Sequence, residues 1–522
     1  MSQTTLRKVV LCGTHPNQFN GYSKVVYELA KELSENTDIE LYIYGFQNFY
    51  KKPDHEDERK LPKVKEIYDP HAHEEPKAKG FGDSLIIDYV KRVQPDIVII
   101  YNDLVVITSL MNKLREIPNR DFKLVAYIDI VYKNEKNNMI RHINEHVDAG
   151  IMFTSYWKDV IIKQGFTKPL YTLEHGFNSQ TFYPIEKSVA RRFFNINPDD
   201  FVIVNLNRNQ PRKRWDICLM AFVKYISTHQ QDNIKLLIAT TLNGGWDLVD
   251  IMISECRKYD MTLEDIKKHL IIIQNPQQIT DREINVLYNV ADIGVNTCDG
   301  EGFGLCNFEQ AGVGIPQIVP KLGGFLDFLT NERSIMIQPK WSYYTDHSRD
   351  FVSGEAEVCD VDDFVKAFDF YYKRKDLVAS HGKLSRDHIM NNYGWDKISN
   401  KMHAAIRDIC KDMAPKKTAT PAEEVNEVSI ESIDSIDIDA LIERKLNGGE
   451  ETDIPAQDAT PTPKEEPPPT PKEEPPQTPN VVQILDDAPE SSSFEEVLKK
   501  NLTNDDDDDD DDDEVIVVNG GS

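Results

Sequence analysis

The most specific segment of the chain is Ile293-Gly-Val-Asn-Thr-Cys-Asp-Gly-Glu-Gly-Phe-Gly-Leu-Cys-Asn-Phe-Glu309. Its first residues, 293–296, are predicted to form a buried strand, and a helix is predicted to begin at about Leu305. The loop between them is rich in glycine, which allows backbone N–H groups to approach a ligand closely. Because the N-terminus of a helix favours a bound phosphate, the stretch indicates an α/β domain with a phosphorylated ligand.

Two carboxylates of this stretch, Glu301 and Glu309, lie eight residues apart. Glu301 is in the loop and Glu309 is about one turn into the helix, so both side chains are predicted to face the same cleft. Carboxylates accept hydrogen bonds from sugar or ribose hydroxyls, but they are poor ligands for phosphate. Glycines and nearby basic residues are therefore needed to bind any phosphate.

Basic residues follow an earlier predicted strand, in the segment Asn207-Arg-Asn-Gln-Pro-Arg-Lys-Arg214. Arg208 and Lys213 of this segment could neutralise a diphosphate without a metal ion, because both carry positive charge at the carboxyl end of a strand. A lone cluster of this kind is more often a solvated turn. Its predicted position at the same sheet edge as Glu301 and Glu309 favours a ligand site instead.

The flanking sequence repeats one pattern, in which short Val/Ile/Leu-rich runs alternate with amphipathic stretches of helical spacing. Continuous apolar runs suit parallel strands that are buried on both faces, so the pattern predicts βαβ units. The predicted strands of the first series are residues 8–12, 39–46, 96–101, 124–129, 150–154 and 170–173. Those of the second series are residues 201–206, 234–240, 270–273, 293–296, 317–319 and 335–337.

Two such series predict an α/β fold with two Rossmann-like domains that face each other across a cleft. The predicted domains are residues 1–180 and 198–385, joined by a linker at residues 184–198. In open sheets of this kind, ligands lie at the carboxyl ends of the strands. The cleft is therefore the predicted ligand site.

The negative charge of the chain is concentrated in its C-terminal part. The net charge is −28, and residues 411–522 account for −23 of it. Residues 413–522 include Pro-rich repeats at 461–476 and nine consecutive aspartates at 505–513, so we predict a disordered acidic tail. An apolar segment at 515–518 is compatible with a protein partner for the tail, although a solubilising terminus is the simpler interpretation. The nearly neutral body argues against nucleic acid as a partner.

The composition also bears on location. Seven scattered cysteines without a CxxC pair are typical of reduced thiols in a cytosol-like compartment. Residues 1–13 contain too few apolar residues for a signal peptide, and no window has the roughly 18 apolar residues that a membrane span needs. We therefore expect a cytoplasmic protein that is soluble or, at most, peripheral to a membrane.

The motifs resemble those of family 4 glycosyltransferases, which have the GT-B fold. Glu301 and Glu309 match the Glu-x7-Glu motif of that family, and Arg208 and Lys213 match its Arg-x4-Lys pair. Two glutamates at this spacing are common by chance, so the whole assembly matters more than any single motif. Further matches follow in the family's order within about residues 6–410, namely Asn20-Gly21, residues 148–155, His175-Gly-Phe-Asn178 and Tyr393-Gly-Trp395.

The resemblance implies a retaining glycosyltransferase that uses a nucleotide-sugar donor, without a cofactor or metal ion. Residues 1–180 would form the acceptor side, residues 198–385 would bind the donor, and residues 386–412 would form a helix that crosses back to the first domain. The acceptor would be a carbohydrate, a lipid-linked molecule or a protein. The sugar, the nucleotide base and the acceptor are left open.

The same resemblance implies roles for individual residues. Arg208 and Lys213 would bind the donor diphosphate and stabilise the departing nucleotide. Glu309 would bind the ribose hydroxyls, and Glu301 the hydroxyls of the transferred sugar. Gly21 would let the acceptor-side loop approach the diphosphate. Further phosphate contacts would come from the glycine loop and the start of the helix, at Gly302, Phe303, Gly304 and Leu305.

One position departs from the family. The family usually has a His-Asp pair after the fourth strand of the first domain, with the histidine near the sugar, whereas Tyr127-Ile128-Asp129 stands here. Ile128 replaces the histidine, and Asp129 remains a candidate for the donor site. The departure leaves open a second class of function, a catalytically degenerate scaffold that acts through its acidic tail. A GT-B epimerase or phosphorylase is a third.

One short motif resembles a metal site of a different class of enzyme. His142-Ile-Asn-Glu145-His146 has the H-x-x-E-H pattern of one group of zinc proteases. That chemistry needs a helix with both histidines on one face and a further carboxylate ligand. The segment leads directly into the predicted strand at Gly150, so a solvated amphipathic helix is the favoured interpretation and no metal site is assigned.

Overall fold

The structure is a computed structural model that describes residues 6–18, 20–49, 59–73, 80–230, 232–273, 280–346 and 352–414. The predicted tail lies outside the described residues from 415 onward, and so do its repeats, its aspartate run and the candidate partner segment. Within the described part, no helix is long and apolar enough to cross a membrane.

The first domain is built on seven parallel strands in the order β3-β2-β1-β4-β5-β6-β7. Its strands are β1 (Arg7–Thr14), β2 (Ile39–Phe46), β3 (Glu66–Tyr68), β4 (Ile97–Asp103), β5 (Lys123–Asp129), β6 (Ala149–Met152) and β7 (Leu170–Thr172). Its helices are α1 (Gly21–Leu33), α2 (Ile86–Val93), α3 (Leu104–Leu114), α4 (Asn137–His146) and α5 (Ser155–Lys163), with a short 3-10 helix at Pro70–His73. The chain winds outward from β1 in both directions, which is the doubly wound arrangement.

The second domain repeats the arrangement with six parallel strands in the order β10-β9-β8-β11-β12-β13. Its strands are β8 (Phe201–Asn205), β9 (Ile234–Ala239), β10 (Leu270–Ile273), β11 (Ile293–Val295), β12 (Gln317–Pro320) and β13 (Ile335–Ile337). The helices are α6 (Lys187–Phe193), α7 (Trp215–Ile226), α8 (Leu248–Lys258), α9 (Leu263–Lys267), α10 (Asp281–Asn289), α11 (Leu305–Val313), α12 (Phe325–Phe328), α13 (Val361–Lys373), α14 (Lys375–Asn392) and α15 (Trp395–Ile409). A second 3-10 helix spans Pro211–Lys213.

All twelve predicted strands are present, and their ends differ from the predicted ones by at most two residues. For most of them the reason is burial on both faces, which favours apolar side chains at successive positions. In β1, for example, Val9, Val10 and Leu11 are at most 1% exposed. Strand β3 (Glu-Ile-Tyr) is not predicted, because this three-residue, half-buried edge strand contains no apolar run.

The segment between the two sheets contains α6, although the sequence pattern predicts a linker at residues 184–198. The helix forms because one of its faces packs on the second domain. Arg191 is 3% exposed, and its guanidinium donates to Asp292 Oδ2 at 2.7 Å and to the Val290 carbonyl at 3.1 Å. The segment therefore belongs to the folded body of the second domain at this helix.

Strands β14 (Trp341–Tyr344) and β15 (Glu355–Val358) form an antiparallel pair that the sequence pattern does not predict. Trp341 is 56% exposed, so β14 has no continuous apolar run to mark it. The pair contacts the segment after β5, where the Glu355 N–H donates to the Lys133 carbonyl at 2.8 Å. It thus connects the second domain to the first beside the cleft.

Helix α15 returns to the first domain. Lys401 Nζ lies 2.7 Å from Glu174 Oε2, and the Tyr171 hydroxyl donates to Asp408 Oδ2 at 2.5 Å. After the helix, the Arg7 guanidinium donates to the Cys410 carbonyl at 3.1 Å. These contacts attach the end of the described chain to the domain in which it begins.

Candidate functional site

The carboxyl ends of the strands of both sheets surround a cavity of about 510 Å³. This volume is within the range typical of small-molecule sites, about 300–1,000 Å³. All ten residues predicted for the site line this cavity, namely Gly21, Asp129, Arg208, Lys213, Glu301, Gly302, Phe303, Gly304, Leu305 and Glu309.

The loop after β8 and the loop after β11 are hydrogen-bonded to each other beside the cavity. The Asp299 N–H donates to the Arg212 carbonyl at 3.1 Å, and the Thr297 hydroxyl donates to the Arg214 carbonyl at 2.9 Å. These bonds join the basic segment to the glycine loop. The cations and carboxylates of the two loops therefore share one wall of the cavity.

Lys213 and Glu301 form a buried ion pair, with Lys213 Nζ 2.5 Å from Glu301 Oε2. Arg212 lies 3.5 Å from Glu301 Oε1, and the Asn296 amide donates to Glu301 Oε2 at 3.4 Å. Burial alone raises the pKa of Glu301, but Lys213 and Arg212 outweigh it and the pKa is lowered overall. The carboxylate is therefore ionised at neutral pH.

Arg208 lines the same cavity and is exposed, whereas Lys213 is buried. The backbone at Arg208 is fixed, because its carbonyl accepts a hydrogen bond from Trp215 Nε1 at 3.3 Å. Arg208 therefore adds an exposed cation to the lining of the cavity.

Glu309 lies in α11, and each of its two oxygens has a partner. Lys24 Nζ, from α1 of the first domain, lies 2.9 Å from Oε1, and the Tyr288 hydroxyl donates to Oε2 at 2.7 Å. Burial raises the pKa of Glu309, and Lys24 and Tyr288 counteract the rise only in part. Each oxygen still has a lone pair that could accept a hydrogen bond from a ligand hydroxyl.

The Lys24 ammonium also contacts a second carboxylate, Asp281 Oδ1, at 3.1 Å. Arg59 of the first domain lies 3.3 Å from Asp281 Oδ2. Both cations lower the pKa of Asp281 below its usual value in spite of burial. A network of ion pairs therefore joins the two domains at this end of the cavity.

Asp129 lies at the end of β5, against the glycine loop of the second domain. Its Oδ2 accepts a hydrogen bond from the Tyr22 hydroxyl at 2.5 Å, while its buried Oδ1 has no hydrogen-bond partner within the described chain. A Cβ atom added to Gly302 would lie only 2.6 Å from that Oδ1. This close approach explains why the loop has glycine at position 302. Burial raises the pKa of Asp129 to about 6.

Ile128, which stands where the resembling family has histidine, is fully buried in β5. A histidine does line the cavity, but it comes from elsewhere in the sequence. His175 packs against Phe303 with 4.5 Å between the ring centroids, and burial lowers its pKa to about 3. The imidazole is therefore neutral at physiological pH.

The turn before α11 requires glycine at Gly304, whose φ is +86°. This conformation is costly for other residues, and a Cβ there would also lie 2.4 Å from the Phe325 ring. Helix α11 begins directly afterwards at Leu305, whose Cδ2 would lie 3.6 Å from a Cβ at Gly21 of the first domain. The first N–H groups of a helix have no acceptor within the helix, so this end can bind an anion.

The H-x-x-E-H segment is helical, as favoured from the sequence, and lies in α4. The ligand atoms of His142, Glu145 and His146 lie within 4.8 Å of one another. Both imidazoles already have partners, since His142 Nε2 lies 2.8 Å from Asn112 Oδ1 and His146 Nδ1 lies 2.8 Å from the His142 carbonyl. The three residues do not line the cavity.

Sequence reasoning missed the cavity residues that lie on helices outside the motifs, chiefly Tyr22, Lys24, Asp281 and Tyr288. A signal was available for Lys24, which lies three residues after Gly21 on the same side of α1. Tyr288 lies seven residues after Asp281 on one face of α10, but neither residue belongs to a motif. The pairing of these helices across the cleft carries no such signal.

Comparison with known proteins gives distant sequence relatives. No protein-family model matches the chain. The chain is 24% identical over 164 residues to D-inositol 3-phosphate glycosyltransferase 2 of Catenulispora acidiphila, which is 31% of this chain and 37% of that protein. It is 24% identical over 165 residues to D-inositol 3-phosphate glycosyltransferase of Rhodococcus erythropolis, which is 31% of this chain and 36% of that protein. The chain thus spans little more than a third of the length of these curated relatives.

Solved structures match the chain over a much longer span. Sucrose-phosphate synthase from Thermosynechococcus elongatus aligns with a TM-score of 0.60 and 15% identity, over 78% of this chain and 99% of that one. Anabaena Alr3699/HepE in complex with UDP and glucose aligns with a TM-score of 0.56 and 13% identity, over 77% and 100%. A glycosyltransferase from Rickettsia africae gives 0.58 and 14%, over 78% and 99%. The predicted GT-B fold is therefore confirmed.

Proposed function

We propose that the protein is a glycosyltransferase that transfers a sugar from a nucleoside-diphosphate-sugar to a hydroxyl-bearing acceptor. One observation carries the proposal. Two cations, Arg208 and Lys213, and two carboxylates, Glu301 and Glu309, come from separate loops and line one cavity at the carboxyl ends of the strands. This combination suits a ligand that has both a diphosphate and several hydroxyls.

The donor would bind along the wall that the second domain contributes. Arg208, Lys213 and the N-terminus of α11 bind the diphosphate through charge and backbone N–H groups. Glu309 accepts hydrogen bonds from the ribose, and Glu301 accepts them from the transferred sugar. Glu301 suits this role because the ion pair with Lys213 keeps it ionised and fixes its orientation.

The reaction breaks the bond between the anomeric carbon and the β-phosphate oxygen, and it forms a bond from that carbon to the acceptor oxygen. Negative charge develops on the departing diphosphate, where the two cations stabilise it. The acceptor proton passes to the leaving phosphate oxygen. We propose that transfer proceeds with retention and that these cations, rather than a metal ion, neutralise the diphosphate, as in the family 4 enzymes that the motifs resemble.

Distant relatives support the chemistry. The curated proteins that match part of the chain are named as glycosyltransferases, and one solved neighbour of similar fold is a complex with UDP and glucose. Since the sequence identity is low in each case, the donor and acceptor of this protein do not follow from theirs. The acceptor is a carbohydrate, a lipid-linked molecule or a protein.

A thermal-shift screen against nucleoside diphosphates and their sugars tests the proposal, because a ligand that binds the folded state raises its apparent stability. We expect a nucleoside diphosphate-sugar to raise the Tm, and Glu309→Gln to abolish most of that shift. The protein is then incubated with the nucleotide sugar that binds and with mixtures of acceptors. NMR of the product gives its anomeric configuration and tests retention, and a parallel reaction with a chelator tests metal independence. A protein that binds no nucleotide sugar would instead fit the catalytically degenerate scaffold.

A further inference from the structure

Lys24 belongs to the first domain, yet its ammonium contacts two carboxylates of the second, Glu309 and Asp281. Its position is fixed by the start of α1, where Asn20 Oδ1 accepts a hydrogen bond from the Ser23 N–H at 2.9 Å. The Lys24 ammonium also lies 4.6 Å from the centroid of the Phe182 ring. The Lys24 side chain is only 15% exposed, so its ammonium is fixed by these neighbours, unlike that of a mobile surface lysine.

Glu309 depends on this cation. Its side chain is 5% exposed, and burial disfavours the charged form of a carboxylate. The groups that face it are Lys24 from α1, Asp281 and Tyr288 from α10, and Cys306 from its own helix. Asp281 repels the charge and Tyr288 stabilises it by one hydrogen bond, so Lys24 supplies the positive charge at this carboxylate.

A protonated Glu309 would be a poorer partner for a ribose. An ionised carboxylate can accept hydrogen bonds from two neighbouring hydroxyls at once, whereas the acid form uses one oxygen as a donor. Hydrogen bonds to a charged group are also the stronger ones. Any group that keeps Glu309 charged and oriented therefore controls how well it binds a diol.

We propose that Lys24 is a positioning residue for the donor. It acts across the domain interface by keeping the Glu309 carboxylate ionised and in the orientation that accepts hydrogen bonds from the ribose hydroxyls. The inference rests on the proposed function, and it adds that the first domain takes part in binding the nucleoside half of the donor. Because the contact spans the cleft, the donor binds best when the two domains are together.

The test compares variants of the full chain by calorimetric titration with the nucleoside diphosphate of the best donor, between about pH 5.5 and 8.5. Lys24→Met removes the charge but keeps the length of the side chain, and Lys24→Arg keeps the charge. Lys31→Met is the matched control, since it makes the same change in the same helix away from the cavity.

Lys24→Met is expected to weaken nucleoside diphosphate binding about 10- to 100-fold near neutral pH, the effect of losing one charge-assisted hydrogen bond. As the pH is lowered, its binding should decline at a higher pH than wild-type binding, because Glu309 without Lys24 is protonated more readily. Lys24→Arg should recover most of the affinity, and Lys31→Met should match wild type. A Lys24→Met protein with the wild-type affinity and pH profile overturns the inference.

A double variant separates positioning from a structural effect. If Lys24 acts through Glu309, Lys24→Met should have little further effect on binding in a Glu309→Gln background, since the group it orients is already lost. Equal effects in both backgrounds would mean that Lys24 supports the fold and would overturn the inference. Absence of nucleoside diphosphate binding by the wild-type protein would instead overturn the proposed function.

Discussion

Lys213 and Glu301 come from loops almost ninety residues apart in the sequence, yet Lys213 Nζ lies 2.5 Å from Glu301 Oε2 in a buried ion pair. Each is thus the partner of the other before any donor binds. A substitution at one position removes the ion-pair partner of the other, so kinetic effects at the two positions should not be additive.

Lys213→Ala should lower kcat more than it weakens donor binding, because charge builds up on the diphosphate as the glycosidic bond breaks. We expect a loss of about 100-fold in kcat, as for removal of one group that stabilises a developing anion. Steady-state kinetics with the identified donor measures the loss. Lys224→Ala, on the surface of α7, is the control and should leave kcat unchanged. Equal losses in the two variants would contradict the assignment.

Glu309→Gln should weaken donor binding by about 1.5–3 kcal/mol, the range for a hydrogen bond to a charged group. The amide keeps the shape of the side chain but loses the charge and one acceptor. Calorimetric titration with the nucleoside diphosphate gives the difference directly. The corresponding free base, which has no ribose, should bind the variant and the wild type alike, and an unchanged Kd for the nucleoside diphosphate would remove Glu309 from the donor site.

Asp129 predicts a pH-dependent difference in stability between wild type and Asp129→Asn. Its pKa is about 6 in the folded protein and 3.8 without the fold, so the folded state resists ionisation of this carboxyl. Its contribution to the free energy of unfolding should therefore fall as the pH rises from 4 to above 6, by roughly 2 kcal/mol relative to the asparagine variant. Chemical denaturation of both proteins at pH 4 and pH 7 measures this change, and an identical difference at the two pH values would refute it.

Gly304 and Gly165 allow backbone strain to be separated from a clash. Both have positive φ, at +86° and +100°, but a Cβ at Gly304 would lie 2.4 Å from the Phe325 ring, whereas nothing lies within 4 Å of one at Gly165. Gly304→Ala should therefore cost about 1–3 kcal/mol more than Gly165→Ala, the typical cost of overpacking. Chemical denaturation of both variants and of the wild type gives the free energies of unfolding that test this difference. Comparable costs would show that the backbone alone requires glycine at Gly304.

Most of the fold can be predicted from the sequence, because most of the parallel strands are buried on both faces and therefore appear as continuous apolar runs. Strand β9 illustrates this, since all but one of its six residues are buried and its apolar run predicts it to within one residue. The pair β14 and β15 is different, because β14 is mostly exposed and β15 buries only alternate residues, so neither strand needs a continuous apolar run. Its position is set by the Lys133 backbone of the other domain, which no local pattern encodes.

The candidate site divides in the same way. Residues that belong to the loops after β8 and β11 could be predicted, because strand order brings their carboxyl ends to one sheet edge. The contact between Lys24 and Asp281 could not, because it depends on how two separate domains pack. Ile128 shows a further limit, since the motif marks the position of a missing histidine but does not reveal that His175 lines the same cavity.

The attachment of the chain end beside β1 has a practical consequence. Arg7, at the amino end of β1, donates hydrogen bonds to the carbonyls of Cys410 and Met413 at 3.1 Å, whereas the cavity lies at the opposite, carboxyl ends of the strands. A biotin acceptor peptide inserted after residue 414 would tether the folded body to a sensor chip by the face at the amino ends of the strands, opposite the cavity. The mouth of the cleft would then face the flowing solution, with no anchor in the path of an entering ligand.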